Sequence, residues 1–192
     1  MYLNRMLSFI SLRIFNIENK NVFKMNRILF LVLLLGLCFP ATSFELTYGT
    51  SSNDVGEAVI QTSDGGYIIA GNAGSDAVLI KIDNLGNQTW DQPYDFGSSD
   101  YFADIKQTSD DGYIITGYTF SFGGGEYDVW LIKTDSQGNE EWNKTFGGTD
   151  SDWGNSIQQT TDGGYIITGS TSSFGNGGYD FWLIKTDSQG NE

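Results

Sequence analysis

One unit occurs three times, and it limits what this chain can fold into more than any other feature. Its clearest copy is Asp162-Gly163-Gly164-Tyr165-Ile166-Ile167-Thr168-Gly169, followed by Tyr179-Asp180-Phe181-Trp182-Leu183-Ile184-Lys185-Thr186-Asp187. The earlier copies centre on Tyr67 and Tyr113, which lie 46 residues apart, and Tyr113 lies 52 residues from Tyr165. The six-residue difference falls between Gly71 and Asp76, where the later copies carry Ser121-Phe122-Gly123-Gly124-Gly125 and Ser173-Phe174-Gly175-Asn176-Gly177. A strand-rich repeat of this length signals a solenoid or a propeller, in which each unit buries its apolar faces only against its neighbours.

Each copy reads as four short strands. In the first copy, strand A is Ala58 to Thr62, B is Tyr67 to Gly71, C is Val78 to Ile82, and D begins at Trp90. Aromatic and β-branched residues dominate, and helical spacing is not sustained anywhere in the repeats. Strands B and C are continuous apolar runs, as expected when both faces of a sheet are covered. Pro93 is tolerable in D only if D is an outer strand, because proline lacks the N–H that an inner ladder needs. Asp64-Gly65-Gly66 and Asp83 to Asn87 supply turn chemistry, with Asp110, Asp162, Asp135 and Asp187 at the matching places. These acids are expected to be turn residues. Lys81, Lys133 and Lys185 recur inside strand C and are expected to pair with acids.

As a composite of the copies, the pattern runs from an aromatic residue and glycine (Tyr48-Gly49, Phe146-Gly147-Gly148) through Asp-Gly-Gly-Tyr-Ile to Asp-x-Trp-Leu-Ile-Lys-x-Asp-x-x-Gly-Asn-x-x-Trp. It resembles the SBBP-type bacterial β-propeller repeats of secreted and cell-surface proteins. The stretch Leu131 to Trp142 is also similar to the PQQ-type blade with its docking tryptophan. The resemblance covers residues 44–192 and implies an all-β fold of propeller blades, each a four-stranded antiparallel meander. It does not imply quinone chemistry: the corner is one residue shorter, and the Arg and His expected at a quinone site are missing from 44–192.

The boundaries follow from the alignment. Residues 44–49 match strand D, 50–97 form blade 1, 98–148 blade 2, and 149–192 blade 3 without a strand D. About three blades lie below the four to eight usual for a ring. The order D, ABCD, ABCD, ABC is expected of a piece of a larger propeller, or of partial rings that self-associate.

Residues 25–43 differ from the repeats. Met25-Asn26-Arg27 is a short basic start, Ile28 to Phe39 is a twelve-residue apolar run, and Ala41 and Ser43 are small residues at a cleavage-like site. This is the pattern of a secretory signal peptide, and the run is shorter than the ~20 residues of a membrane span. Residues 1–24 read as an upstream extension, with Met25 as the start. The expected location is secreted or at the cell surface. A membrane link is expected only through an uncleaved signal or a further domain downstream.

Residues 44–192 hold five lysines and 23 acids, a net charge of −18 (5 − 23), with no Cys, His or Arg. Such a field repels nucleic-acid phosphates and suits cations such as Ca²⁺. The missing residue types exclude thiol chemistry, Ser-His-Asp triads and His-ligated zinc within these residues.

Candidate binding residues gather where the B–C and D–A connections would emerge together. They are Asp54, Asp100 and Asp152 from D–A, Asp76, Asp128 and Asp180 from B–C, and the aromatics Tyr101, Trp153, Tyr127 and Tyr179, with Phe122 and Phe174 beside them. Rings beside carboxylates suit a sugar, and clustered carboxylates suit Ca²⁺. The simpler alternative is that the acids cap loops and the rings pack between blades. Asn87 and Asn143 begin glycosylation sequons. Acids that repeat in every blade do not look like a catalytic pair. The chain is therefore read as a non-catalytic exported scaffold or interaction module with no cofactor beyond Ca²⁺. The alternatives are a glycan- or Ca²⁺-binding propeller and, remotely, a glycan hydrolase. An extracellular glycan or protein is the expected partner.

Overall fold

The computed structural model describes residues 43–192, and the compact unit carrying all the strands spans Phe44–Glu192. The signal-peptide and extension readings fall on residues outside this range, apart from Ser43. Among the described residues no helix is long and apolar enough to cross a membrane.

The fold is all-β. Blade 1 is the sheet β1 (Asp54–Gln61), β2 (Tyr67–Ala73), β3 (Asp76–Ile82) and β4 (Gln88–Tyr94), in that spatial order. Blade 2 repeats it with β5 (Asp100–Gln107), β6 (Tyr113–Thr119), β7 (Asp128–Thr134) and β8 (Glu140–Phe146). Blade 3 has three strands, β9 (Asp152–Gln159), β10 (Tyr165–Thr171) and β11 (Asp180–Thr186). Every pairing is antiparallel between strands adjacent in sequence, so each sheet is a meander of the kind that builds propeller blades. Pro93 lies in β4, the outermost strand of its sheet, as its missing N–H requires.

The strands are longer than the apolar runs suggest. Each A strand starts four residues early, at Asp54, Asp100 or Asp152, and steps over a bulge at Glu57, Ala103 or Asn155. The bulge disguises the alternation, because one extra residue flips the faces.

Blade 2 lies between the other two, and its inner strands show it. β7 is buried at all seven positions, whereas the matching β11 alternates between exposed positions and half-buried or buried ones. One core joins blades 1 and 2, with Ile68, Ala70, Ala77 and Leu79 against Phe102, Ile105, Ile115 and Trp130. A second joins blades 2 and 3, with Ile114, Val129 and Leu131 against Ile157, Ile167 and Ile184. The same sequence pattern is thus sealed on two faces or one, according to its neighbours.

Residues 44–49 carry no strand ladder, although their sequence matches strand D. Their side chains nevertheless sit where a D strand's would. The Trp90 ring of blade 1 covers Gly138 in the next blade's C–D turn, and Tyr94 donates from its hydroxyl to the Gly138 carbonyl at 2.6 Å. Trp142 covers Gly190 likewise, Phe44 covers Gly86, and the Tyr48 hydroxyl donates to the Gly86 carbonyl. A ladder needs a neighbouring strand, and residues 44–49 lack one.

Blade 1 differs in one further way. In blades 2 and 3 the long B–C loop lays a phenylalanine over the strand-C tryptophan: Phe122 lies 6.2 Å from Trp130, and Phe174 lies 5.4 Å from Trp182. In blade 1 the loop is short and the tryptophan position holds Val78.

Candidate functional site

The expected loop acids are the first residues of strands, and their position explains their chemistry. Asp100 opens β5, and its N–H donates to the Ser75 carbonyl of blade 1 at 2.9 Å. Asp152 opens β9, and its N–H donates to the Tyr127 carbonyl of blade 2 at 2.6 Å. Both residues are fully buried. The Asp100 carboxylate accepts from the hydroxyls of Thr119 and Ser121, the latter at 2.7 Å. The Asp152 carboxylate accepts from the Ser173 hydroxyl at 2.7 Å and the Gly148 N–H at 2.9 Å. These acids fasten one blade's start to the preceding blade and to their own B–C loop.

The other acids are similarly engaged. Asp128 accepts from the Gly124 N–H at 2.9 Å, and Asp180 from the Asn176 N–H at 2.8 Å. Asp54 accepts from the Thr50 N–H at 2.7 Å, and Asp76 from the Ser75 hydroxyl at 3.1 Å. Asp128 and Asp152 approach the same glycine. A Cβ on Gly147 would fall 1.6 Å from an Asp128 oxygen and 2.8 Å from an Asp152 oxygen, so any larger residue there would have to displace these carboxylates. Burial, helped by the Asp152 charge, pushes the Asp128 carboxyl above its usual range. Among the described residues, no three carboxylate, imidazole or thiol groups gather as a metal cage. The loop-capping alternative therefore accounts for the hydrogen bonds of five of the six acids, whereas Asp76 accepts from the side chain of its neighbour Ser75.

The aromatics do come together. Tyr101 lies 5.0 Å from Tyr118, which lies 5.4 Å from Tyr127 and 6.1 Å from Trp153. Trp153 stacks on Tyr179 at 4.9 Å and 22°. Phe120 joins at 5.4 Å from Tyr127. The result is a band of rings across blades 2 and 3, with Phe120 and Tyr179 exposed and Tyr101, Tyr118, Tyr127 and Trp153 half-buried. The indole N–H of Trp153 is buried without an acceptor.

Tyr118 and Phe120 were not expected in this band. Tyr118 sits inside β6 at a place held by Asn72 and Ser170 in the other blades, so no repeat pattern marks it. The signal was register: Tyr118 pairs directly with Tyr101, and facing rings on neighbouring strands meet.

At the opposite end of the blades, the turn acids and strand-C lysines pair as expected. Lys81 meets Asp64 at 2.9 Å, Lys133 meets Asp110 at 3.0 Å and Glu141 at 2.9 Å, and Lys185 meets Asp162 at 2.9 Å. Asp64 also accepts from the Thr62 hydroxyl and the Gly66 N–H, and Asp83, Asp135 and Asp187 each accept from their C–D turn. The sequon amide of Asn87 donates to Asp83 at 2.8 Å, and that of Asn143 to Glu140 at 2.6 Å. No protein-family model matches the chain, and no curated protein is a recognisable relative of it.

Proposed function

We propose that residues 44–192 form a non-catalytic interaction module, exported to the cell surface or beyond and built on propeller-type blades. One observation supports this most: the recurring acids that would have to perform chemistry are bonded to the loops beside the strands they begin, and Asp100 and Asp152 are fully buried. A hydrolase needs one carboxylic acid and one carboxylate facing a sugar across a cleft. A structural role uses the same residues once per blade, as here. The resemblance to secreted and cell-surface repeats and the leader-like residues 25–43 support export.

The aromatic band favours a second reading within the same class, a surface for extracellular carbohydrate. Tyr179 is exposed and held flat against Trp153, as stacking on a sugar ring requires. Protein-bound Ca²⁺ fits less well, since the carboxylates already accept hydrogen bonds from their loops.

The two readings separate in one experiment on the exported protein. It is incubated with a panel of soluble polysaccharides, while both retention and release of reducing ends are measured. The scaffold reading expects no release, and hydrolysis that disappears in Asp152→Asn would overturn it. The carbohydrate reading expects retention that falls at least tenfold in Tyr179→Ala, and retention indifferent to that change would overturn it.

A further inference from the structure

The groove between blades 1 and 2, at the turn end of the sheets, departs from the repeat at two positions. Asp111 stands where the other A–B turns have Gly65 and Gly163. Those glycines have φ of 84°, and Asp111 is held at 64°, the one positive φ outside glycine among the described residues. Residues with a side chain seldom take that conformation, because Cβ crowds the backbone. Thr89 stands where blade 2 has Glu141, each at the register step beside the Trp90–Lys81 or Trp142–Lys133 pair.

Both departures border one cavity. Its volume is about 620 Å³, and Asp64, Lys81, Trp90, Asp111, Tyr113 and Gln137 line it. Small-molecule sites commonly hold about 300–1,000 Å³. In blade 2 the longer Glu141 reaches back to Lys133 at 2.9 Å. Thr89 donates instead to the carbonyl of Lys81, whose ammonium pairs with Asp64. From the other wall, Asp111 crosses to blade 1 and accepts from the Ser63 hydroxyl at 2.8 Å through one oxygen. A glycine at that place offers no such reach.

A buried group on the wall points to an occupant. Tyr113 is 2% exposed, and its hydroxyl has no hydrogen-bond partner among the described residues. Tyr94, as deeply buried, donates to the Gly138 carbonyl. Burial, with the charges of Asp64 and Asp111, pushes the Tyr113 phenol up to about 12, so it keeps its proton. Those two acids are in the cavity wall, which sets the hydroxyl toward the cavity. A buried donor left unpaired is costly, and a ligand acceptor would relieve it.

We propose that this cavity binds a neutral saccharide. A sugar hydroxyl accepts from Tyr113 while it or its neighbour donates to Asp111, and the C–H face of a ring lies against Trp90. Asp64, Asp83 and Asp111 outnumber Lys81, so the local field turns away phosphates and acidic sugars. A bare cation is poorly served: among the described residues no three carboxylates gather, and Lys81 engages Asp64. The second junction lacks both departures. Gly163 and Glu141 stand there, and Tyr165 feels the charges of Lys133, Asp110 and Glu141. The site is therefore expected at the first of the two junctions and not at the second. It lies at the opposite end of the sheets from the aromatic band and does not depend on what that band binds.

The test is titration calorimetry of the full chain carrying Tyr179→Ala, which removes the contribution of the aromatic band. The probes are glucose, galactose, mannose, N-acetylglucosamine, maltose, cellobiose and lactose, with glucuronic acid and calcium chloride as rivals. At least one neutral sugar is expected to bind, and neither rival. Adding Asp111→Gly, which restores the residue of the sister turns, is expected to weaken that binding by about tenfold or more, ~1.4 kcal/mol. Adding Thr89→Glu, which brings the sister glutamate to Lys81, is expected to weaken it as much. Adding Tyr113→Phe is expected to weaken it severalfold with the urea midpoint unchanged, since the hydroxyl bonds to nothing in the free protein. Unchanged far-UV circular dichroism shows that the blades persist in each. No binding of any neutral sugar, binding of a rival alone, or binding undiminished in any of the three variants overturns the proposal.

Discussion

A carboxylate at each A–B turn binds three partners at once. Asp110 accepts from the Thr108 hydroxyl, the Gly112 N–H at 3.1 Å and Lys133 at 3.0 Å. Burial raises its pKa, but the bonds from Thr108, Lys133 and Gly112 outweigh that and bring it down to about 2 from 3.8. Asp64 is held low first by the Lys81 bond, and Asp162 first by the Thr160 hydroxyl. For a carboxylate depressed on folding, the stabilisation is complete above 3.8 and is lost as pH falls through the folded value. Urea midpoints are therefore expected to hold steady down to roughly pH 4 and fall between there and roughly pH 2. In Asp110→Asn the fall should be shallower, and an unchanged acid limb would contradict the assignment. These acids were legible in the sequence because Asp-Gly-Gly, or Asp-Asp-Gly in the second copy, between strands has one common use. The buried state of Asp100 and Asp152 was not, because it depends on a neighbouring blade that no local pattern describes.

Among the elements, inner strands were legible and outer details were not. Strands B and C announce themselves by apolar and β-branched runs. Strand A hides behind its bulge, and residues 44–49 have the composition of a strand without a ladder. Strand D adds to the cores that join one sheet to the next: the Tyr94 hydroxyl crosses to Gly138, and the Trp130 ring of blade 2 lies among Tyr94, Phe96 and Phe102. Tyr94→Phe should therefore cost about 1 kcal/mol, the usual worth of one buried hydrogen bond. Trp130→Ala should cost about 3–5 kcal/mol by emptying the shared core. Both are read from denaturant unfolding. Equal costs for the two would mean that the blades are held by something other than this core.

At the scale of the whole molecule, charge opposes compaction. Residues 44–192 carry −18, and the five lysines all lie in or next to ion pairs or turns rather than in a patch that could balance it. Raising salt from about 0.01 to about 0.1 M shortens the screening length from about 30 to about 10 Å. The melting midpoint should then rise by a few degrees, and a midpoint that falls would mean that the local pairs outweigh the general repulsion. The stacked arrangement was legible from the repeat, since a sheet with two apolar faces has to be covered twice. Which faces stay open was not, because identical motifs are sealed or bare by position alone.

The short loop of blade 1 and its Val78 have a joint consequence. In the sister blades the phenylalanine of the loop rests on an indole from the strand below, so the two form a lid and its seat. Grafting the longer loop into blade 1 by itself would install a lid above a valine too small to carry it. The loop's length and the residue at position 78 have to change as a pair, which makes them one heritable part rather than two.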